Sequence, residues 1–191
     1  MEEVFDFRKE GCEPSCEAHE LVKPVFLVGF MGAGKTTVAR KLARGAGLAS
    51  VDMDTYIERR TGKKIEQIYA ESGDPGFRAI ETEVLRELAA GGPQLISCGG
   101  GVILAEENRR ILKESGYVVY LLVTADEAAS RISNYSHRPL FKSLENARRI
   151  IQERLPLYEE VANMKVDTAG RGTSSIAREV FTRLKKEGIL Q

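Results

Sequence analysis

The chain has 191 residues, and its 28 Lys and Arg side chains balance 28 Asp and Glu, so the formal net charge is zero. A composition that is 42% hydrophobic and 29% charged fits one globular domain and excludes disordered and fibrous classes. The neutral balance excludes a nonspecific nucleic-acid binder, and no apolar run approaches the roughly 18 residues of a membrane span. We therefore expect a soluble, cytoplasmic protein without nucleic-acid or membrane partners. Because no long apolar surface stripe stands out, we expect a monomer.

The first segment, residues 1–23, is acidic, with seven acidic and three basic side chains. It lacks the basic start and apolar stretch of a signal peptide. Cys12, Cys16 and His19 could offer three metal ligands, but their spacing matches no common zinc pattern, and three cysteines do not suggest a disulfide framework. We therefore predict a poorly ordered extension over residues 1–23 and a single domain over residues 24–191.

Short apolar runs then alternate with helical patterns along the chain. The runs predict five strands, at 25–28, 50–53, 94–98, 117–123 and 164–166. Composition and glycine or proline stops predict helices at 35–46, about 55–72, 76–90, 105–115, 125–132, 144–161 and 174–187. This alternation indicates an α/β fold with a parallel sheet covered by helices on both faces, and ligands of such sheets bind at the carboxyl ends of the strands.

Residues 29–36 read Gly-Phe-Met-Gly-Ala-Gly-Lys-Thr, after the first strand and at the start of the first helix. They fit the phosphate-loop pattern, in which glycines let backbone N–H groups surround phosphates. Lys35 would reach the β- and γ-phosphates, and the Thr36 hydroxyl would bind Mg²⁺. A glycine-rich turn is the alternative, but the position between strand and helix favours a nucleoside-triphosphate site.

Two aspartates, Asp52 and Asp54, follow the second strand. Residues two apart on an extended segment point the same way, so both carboxylates could face a cation and an acceptor hydroxyl. The spacing alone leaves open that Asp54 merely caps the next helix while Asp52 is solvated.

Polar features that could hold a small anion follow later in the chain. Three consecutive glycines, 99–101, come after the third strand, where they would expose backbone amides or simply form a flexible turn. Most arginines are solvated, but Arg78, Arg138 and Arg154 become candidates once an anionic substrate is suspected. Residues 133–143 have the polar, turn-rich character of a mobile lid.

In this order and spacing, the motifs closely resemble those of the shikimate kinase family over about residues 25–184. Besides the phosphate loop and Asp52-Met-Asp54, the resemblance rests on Gly73-Asp-Pro-Gly-Phe-Arg-Ala-Ile-Glu81, Cys98-Gly-Gly-Gly101, Arg138-Pro-Leu-Phe141 and Glu153-Arg-Leu-Pro-Leu-Tyr158. It implies a three-layer P-loop fold with a five-stranded parallel sheet and a mobile lid. It also implies transfer of the γ-phosphoryl group of Mg²⁺–ATP to the 3-hydroxyl of shikimate, in aromatic amino-acid biosynthesis.

The resemblance also implies a role for each matching position. Catalysis would depend on Lys35, Asp54 and Arg138, with Asp54 orienting or deprotonating the attacking hydroxyl. The nucleotide would be bound by Gly32, Ala33, Gly34, Lys35, Thr36, Thr37, Arg131, Arg138 and Arg171. Shikimate would be bound by Asp54, Arg78, Gly99, Gly100, Gly101 and Arg154. Thr36 would hold Mg²⁺ with help from Asp52.

Three features depart from the family pattern, and two other functions compete. Asp74-Pro75-Gly76 stands where Gly-Glu-x-x is usual, Cys98 stands where Thr is common, and the acidic extension is additional.

A gluconate-kinase-like enzyme would share the phosphate loop, but Arg78, the glycine run and Arg154 favour shikimate. A nucleotide-sensing relative without activity is the other alternative, although every catalytic position is occupied. The chain beyond residue 23 is basic by four charges, which suits ATP and a carboxylate acceptor.

Overall fold

The computed structural model describes residues 19–131 and 144–191. The predicted lid with Arg138, and most of the N-terminal extension with Cys12 and Cys16, lie outside these ranges. Within them, no helix is both long and apolar enough to cross a bilayer. The same two ranges contain no group of three His, Cys, Asp or Glu side chains placed to hold a metal ion.

The described residues form an α/β fold with one parallel sheet. The strands are β1 Val25–Val28, β2 Ser50–Asp52, β3 Leu95–Ser97, β4 Tyr117–Leu122 and β5 Met164–Asp167. The helices are α1 Lys35–Ala46, α2 Met53–Thr61, α3 Ile65–Ala90, α4 Glu106–Ser115, α5 Ala125–Arg131, α6 Leu144–Val161 and α7 Thr173–Lys186, with a 3₁₀ turn at Val102–Leu104. The spatial strand order is β2-β3-β1-β4-β5. The predicted fold with a five-stranded parallel sheet is confirmed.

Strand β1 lies at the centre of the sheet and is buried along its whole length. Val25 and Leu27 pack into a core that includes residues of α1 and α7. Phe26 and Val28 pack into a second core, which includes residues of α2, α3 and α4. Because successive side chains of a strand point to opposite faces, helices on both sides of the sheet produce a three-layer structure.

Helix α3 consists of two halves that meet at Gly73, whose φ of 66° and ψ of −171° are not helical. Pro75 follows in the first turn of the second half, where its missing N–H costs no helical hydrogen bond. The break agrees with the sequence pattern, which predicts one helical segment ending near residue 72 and another beginning near residue 76.

Residues 19–23, which the sequence assigns to the extension, contact the end of the chain. Leu21 is buried and pairs with Leu190 in an antiparallel bridge, and the Glu20 N–H donates to the Gln191 carbonyl at 3.0 Å. The His19 ring packs edge-on against Phe181, with centroids 5.2 Å apart. The packed domain therefore begins before residue 24, because these side chains cover apolar residues of the C-terminal segment.

Candidate active site

The phosphate loop joins β1 to α1 at the centre of the sheet. Gly29 has a φ of 144°, and a Cβ there would lie 2.4 Å from the carbonyl oxygen of Leu121 in β4, so a side chain is excluded. Helix α1 begins at Lys35 and has no acidic residue in its first turn. The N–H groups of its first turn, which have no carbonyl partner within the helix, and the positive end of its dipole therefore lie at the loop, which is an arrangement that binds phosphate.

The ammonium group of Lys35 is buried against the same loop. Its Nζ donates to the carbonyl oxygens of Gly29 at 2.8 Å and Phe30 at 3.1 Å. A cavity of about 400 Å³ opens beside it. Its lining includes the loop and helix residues Met31, Gly32, Gly34, Lys35, Thr36 and Thr37. Ala33, a predicted nucleotide contact, is not among the lining residues, because its side chain packs in the core and its N–H donates to the Phe30 carbonyl at 3.2 Å.

Thr36 and Asp52 form a hydrogen-bonded pair in the wall of this cavity. The Thr36 hydroxyl donates to Asp52 Oδ2 at 2.7 Å and lies 3.1 Å from the Ser97 hydroxyl. The other carboxylate oxygen of Asp52 accepts from the N–H and the hydroxyl of Thr55, both at 3.0 Å. Burial alone would raise the pKa of Asp52, but the hydrogen bonds from Thr36, Thr55 and Ser97 outweigh it and hold this pKa below its usual value. Asp52 is therefore ionised at neutral pH.

Asp52 and Asp54 both lie at the cavity, but they do not lie on one extended segment, as strand alternation predicts. Strand β2 ends at Asp52, and α2 begins at Met53, so Asp54 lies in the first helical turn. Asp52 is the residue that caps this helix. The alternative in which Asp54 is the cap and Asp52 is solvated is therefore wrong. Both residues nevertheless line the cavity. The strand is too short for the alternation argument, because Met53 is already helical.

The glycine run after β3 lies between the cavity and two of the predicted arginines. Gly99 and Gly100 line the cavity. The carbonyl of Gly100 accepts from Arg154 Nη1 at 3.1 Å and from the Tyr158 hydroxyl at 2.6 Å. A Cβ at Gly101 would lie 2.4 Å from Nη1 of Arg78, so this guanidinium lies directly against the glycine backbone. Both predicted arginines therefore meet the glycine run.

Two carboxylates and a phenol surround the guanidinium of Arg78. Its Nη1 donates to Glu81 at 2.7 Å, its Nε lies 3.3 Å from Asp74, and its Nη2 donates to the Tyr69 hydroxyl at 3.4 Å. Burial raises the pKa of Glu81, and Arg78 only partly opposes this effect. Burial also raises the pKa of Tyr69 to about 12, so its phenol is neutral. The substrate-binding candidate Arg78 is thus held by acidic neighbours.

Asp54 and Glu81 both approach the glycine run from α2 and α3. A Cβ built at Gly99 would lie 3.0 Å from Asp54 Oδ1 and 3.1 Å from Glu81 Oε1. The two carboxylates are close enough for Asp54 to contribute to the raised pKa of Glu81. This corner of the site therefore combines two acids with the backbone of three glycines, an environment suited to hydroxyl groups.

Arg131 and Arg171, the two described arginines predicted to bind the nucleotide, differ in whether they line the cavity. Arg131 lines the cavity and donates through Nη2 to the Thr168 carbonyl at 2.8 Å and through Nη1 to the Gly32 carbonyl at 3.4 Å. Arg171 is not among the residues that line this cavity. Its Nη1 donates to Glu179 at 2.6 Å and to the Asp167 carbonyl at 3.0 Å. The structure therefore brings Arg131, but not Arg171, to the predicted site.

Several residues of the site carry no role in the sequence prediction. Glu81 lies three residues after Arg78 on a predicted helix, and side chains at this spacing are neighbours on the helix surface. The sequence could therefore have predicted this ion pair. The same spacing argument places Tyr158 next to Arg154, which it follows by one helical turn. No local pattern could have placed Ser97 at the site, because its partner Thr36 is 61 residues away and reaches it only through strand pairing. Cys98 is buried at the cavity next to the glycines, and burial raises the pKa of its thiol, so it stays protonated.

Comparisons with known proteins point to one family. The shikimate kinase family model matches residues 31–185. The chain is 36% identical to a shikimate kinase of Bordetella avium over 188 residues, which is 96% of this chain and 89% of the relative. It is 40% identical to one of Nitrosococcus oceani over 165 residues, 85% of this chain and 87% of the relative. The solved structure of the shikimate kinase from Acinetobacter baumannii in complex with shikimate matches with a TM-score of 0.84 at 36% identity, covering 88% of this chain and 96% of that chain.

Proposed function

The chain belongs to the shikimate kinase family, and we propose that it transfers the γ-phosphoryl group of ATP to the 3-hydroxyl of shikimate, in aromatic amino-acid biosynthesis. The observation that carries this assignment is the position of the glycine run. On one side, Gly99 and Gly100 share a cavity with the phosphate loop, and on the other the same run meets Arg78 and Arg154. A phosphoryl donor and a carboxylate acceptor can therefore bind at neighbouring positions.

The phosphate loop supplies the donor side of this site. The α1 N-terminus and the loop backbone bind the triphosphate, and Lys35 moves from the loop carbonyls to the β- and γ-phosphates. Arg131 contributes a flat guanidinium at the cavity wall on which a purine can stack. Arg171 stays a weaker candidate for the nucleotide, because its guanidinium is bonded to Glu179.

A divalent cation fits the donor set formed by Thr36 and Asp52. These residues offer a hydroxyl and an ionised carboxylate whose oxygens lie 2.7 Å apart, and Mg²⁺ prefers such hard oxygen ligands together with phosphates. When bound, Mg²⁺ neutralises charge on the triphosphate oxygens during transfer. Asp52 is already fixed by Thr55, so the carboxylate needs little reorganisation to serve as a ligand.

The arginines and Asp54 supply the acceptor side. Arg78 and Arg154 bind the shikimate carboxylate, because guanidinium groups match a carboxylate in both charge and hydrogen-bond geometry. Asp54 accepts a hydrogen bond from the attacking hydroxyl and aligns its oxygen with the γ-phosphorus. A P–O bond forms to this oxygen while the bond from the γ-phosphorus to the β,γ-bridging oxygen breaks, and the hydroxyl proton leaves to Asp54 or to water.

Positioning and charge neutralisation account for catalysis in this scheme. Lys35 and the α1 N-terminus stabilise the charge that develops on the transferring group. Arg138 and the lid at residues 133–143, which lie outside the described residues, keep their predicted role of covering this group and excluding water. The cytoplasmic location and the monomeric state likewise stay predictions.

An ADP-release assay with alternative acceptors tests the proposal. The purified chain is incubated with ATP and MgCl₂ alone, with shikimate, and with gluconate, and ADP formation is followed by a coupled reaction. We expect ADP release that depends on shikimate and on MgCl₂ and that does not respond to gluconate. Equal turnover with and without shikimate would contradict the proposal, and turnover with gluconate would favour a sugar-acid kinase.

A further inference from the structure

The guanidinium of Arg78 lies between two carboxylates that differ in how firmly they are fixed. Glu81 has only 1% of its side chain exposed and accepts a hydrogen bond of 2.7 Å from Nη1. Asp74 has 64% of its side chain exposed, and its Oδ1 lies 3.3 Å from Nε. Glu81 is therefore a permanent partner of Arg78, whereas Asp74 can leave.

The Nε–Nη2 edge of the Arg78 guanidinium is weakly occupied. Among the described residues, Nε is buried and makes no hydrogen bond, although Asp74 is near it. Nη2 reaches the Tyr69 hydroxyl at 3.4 Å, and this hydroxyl donates in turn to Asp74 at 3.3 Å. Two parallel N–H groups with long contacts form the edge that a carboxylate could bind through both oxygens.

The backbone around Asp74 also favours its displacement. Asp74 directly follows Gly73, where α3 is interrupted, and precedes Pro75 at the start of the second helical half. Rotation of an exposed side chain at this position breaks no hydrogen bond of the helix interior. Displacement of Glu81 would instead leave a buried carboxylate without its cation, which is far more costly.

We infer that Asp74 is a positioning residue that holds Arg78 in the empty site and releases it to the carboxylate of the acceptor. This inference rests on the proposed function, since the acceptor is the carboxylate that replaces Asp74. An acceptor carboxylate that binds both N–H groups therefore has to displace Asp74, and this competition lowers the affinity for such an acceptor.

Charge-neutral replacements of Asp74 test this inference. Asp74→Asn keeps the size of the side chain, and Asp74→Ser keeps a polar oxygen at this position without the charge. For both variants we expect the KM for shikimate to fall about two- to fivefold, the size expected for loss of an exposed ion pair, with kcat unchanged. Glu71→Gln is the matched control, because Glu71 is an exposed acid of the same helix that pairs with Lys63 and not with Arg78.

The methyl ester of shikimate separates the inferred role from a purely structural one. The neutral ester cannot replace Asp74 on Arg78, so its KM should be the same in the wild type, Asp74→Asn and Asp74→Ser. If Asp74 only orients Arg78, both variants would have a higher KM for shikimate. A higher or an unchanged KM for shikimate would overturn this inference and would leave the proposed function standing. Absence of shikimate-dependent ADP release from the wild type would overturn the proposed function and this inference together.

Discussion

A single methyl group at Gly101 should disable the acceptor side of the site. Gly101 has a φ of −105°, so alanine fits its backbone without strain. The added Cβ, however, would lie 2.4 Å from Nη1, 2.6 Å from Nη2 and 2.7 Å from Cζ of Arg78. The guanidinium must move, and its 2.7 Å hydrogen bond to Glu81 is then stretched or lost.

The cost of this movement follows from the burial of Glu81. Removal of one partner of a buried ion pair costs about 3–5 kcal/mol. Arg78 is displaced rather than removed and Glu81 can take up a proton, so we expect Gly101→Ala to lower the free energy of unfolding by about 2 kcal/mol and the Tm by about 6 °C. Loss of charge-assisted hydrogen bonds to the acceptor carboxylate should raise the KM for shikimate about 10- to 100-fold, with a smaller change in kcat.

The pH dependence of stability gives an independent check on Glu81. Burial raises the pKa of this carboxyl, so its contribution to stability is largest in acid and is lost as the pH rises through the folded-state pKa. Displacement of Arg78 raises that pKa further. The stability difference between Gly101→Ala and the wild type should therefore be small near the ordinary glutamate pKa of 4.5 and should grow towards neutral pH.

Calorimetry across this pH range and steady-state ADP-release kinetics measure both effects. Gly91→Ala is the matched control, because Gly91 has a φ of −74° and lies at the end of α3, away from the glycine run. A Gly101→Ala variant with the Tm and the shikimate KM of the control would refute the steric argument.

Three further variants test other parts of the site. Lys35→Ala should lower kcat about 100- to 1,000-fold with less effect on the shikimate KM, and an unchanged kcat would exclude its role at the phosphates. Asp52→Asn should raise the MgCl₂ concentration for half-maximal activity. Because the pKa of Asp52 is lowered, its stabilising contribution is present above pH 3.8 and is lost as the pH falls through the folded-state value, so wild type and variant should converge in stability in acid. Arg131→Ala should raise the KM for ATP about tenfold and leave the shikimate KM unchanged, whereas the reverse pattern would place Arg131 on the acceptor side.

The local parts of the site could be predicted because their signals are short. The phosphate loop, the start of α1 at Lys35 and the interruption of α3 near Gly73 all depend on glycine, proline and the hydrophobic period over a few residues. The role of the two aspartates could not be decided in the same way. Whether β2 ends before or after Met53 depends on pairing with β3, where Asp52 is in register with Ser97.

The sequence by itself therefore determined the fold class, the phosphate loop and the set of side chains available for phosphoryl transfer. Only the tertiary structure decided which of these side chains meet. Arg154 reaches Gly100 across 54 residues, and Arg78 is bound to the buried Glu81 and the exposed Asp74 against Gly101, while Arg171 pairs with Glu179 and does not line the cavity. The reason is physical: periodicity and turn chemistry act over one or two helical turns, whereas the neighbours of a charged group depend on strand order and helix packing.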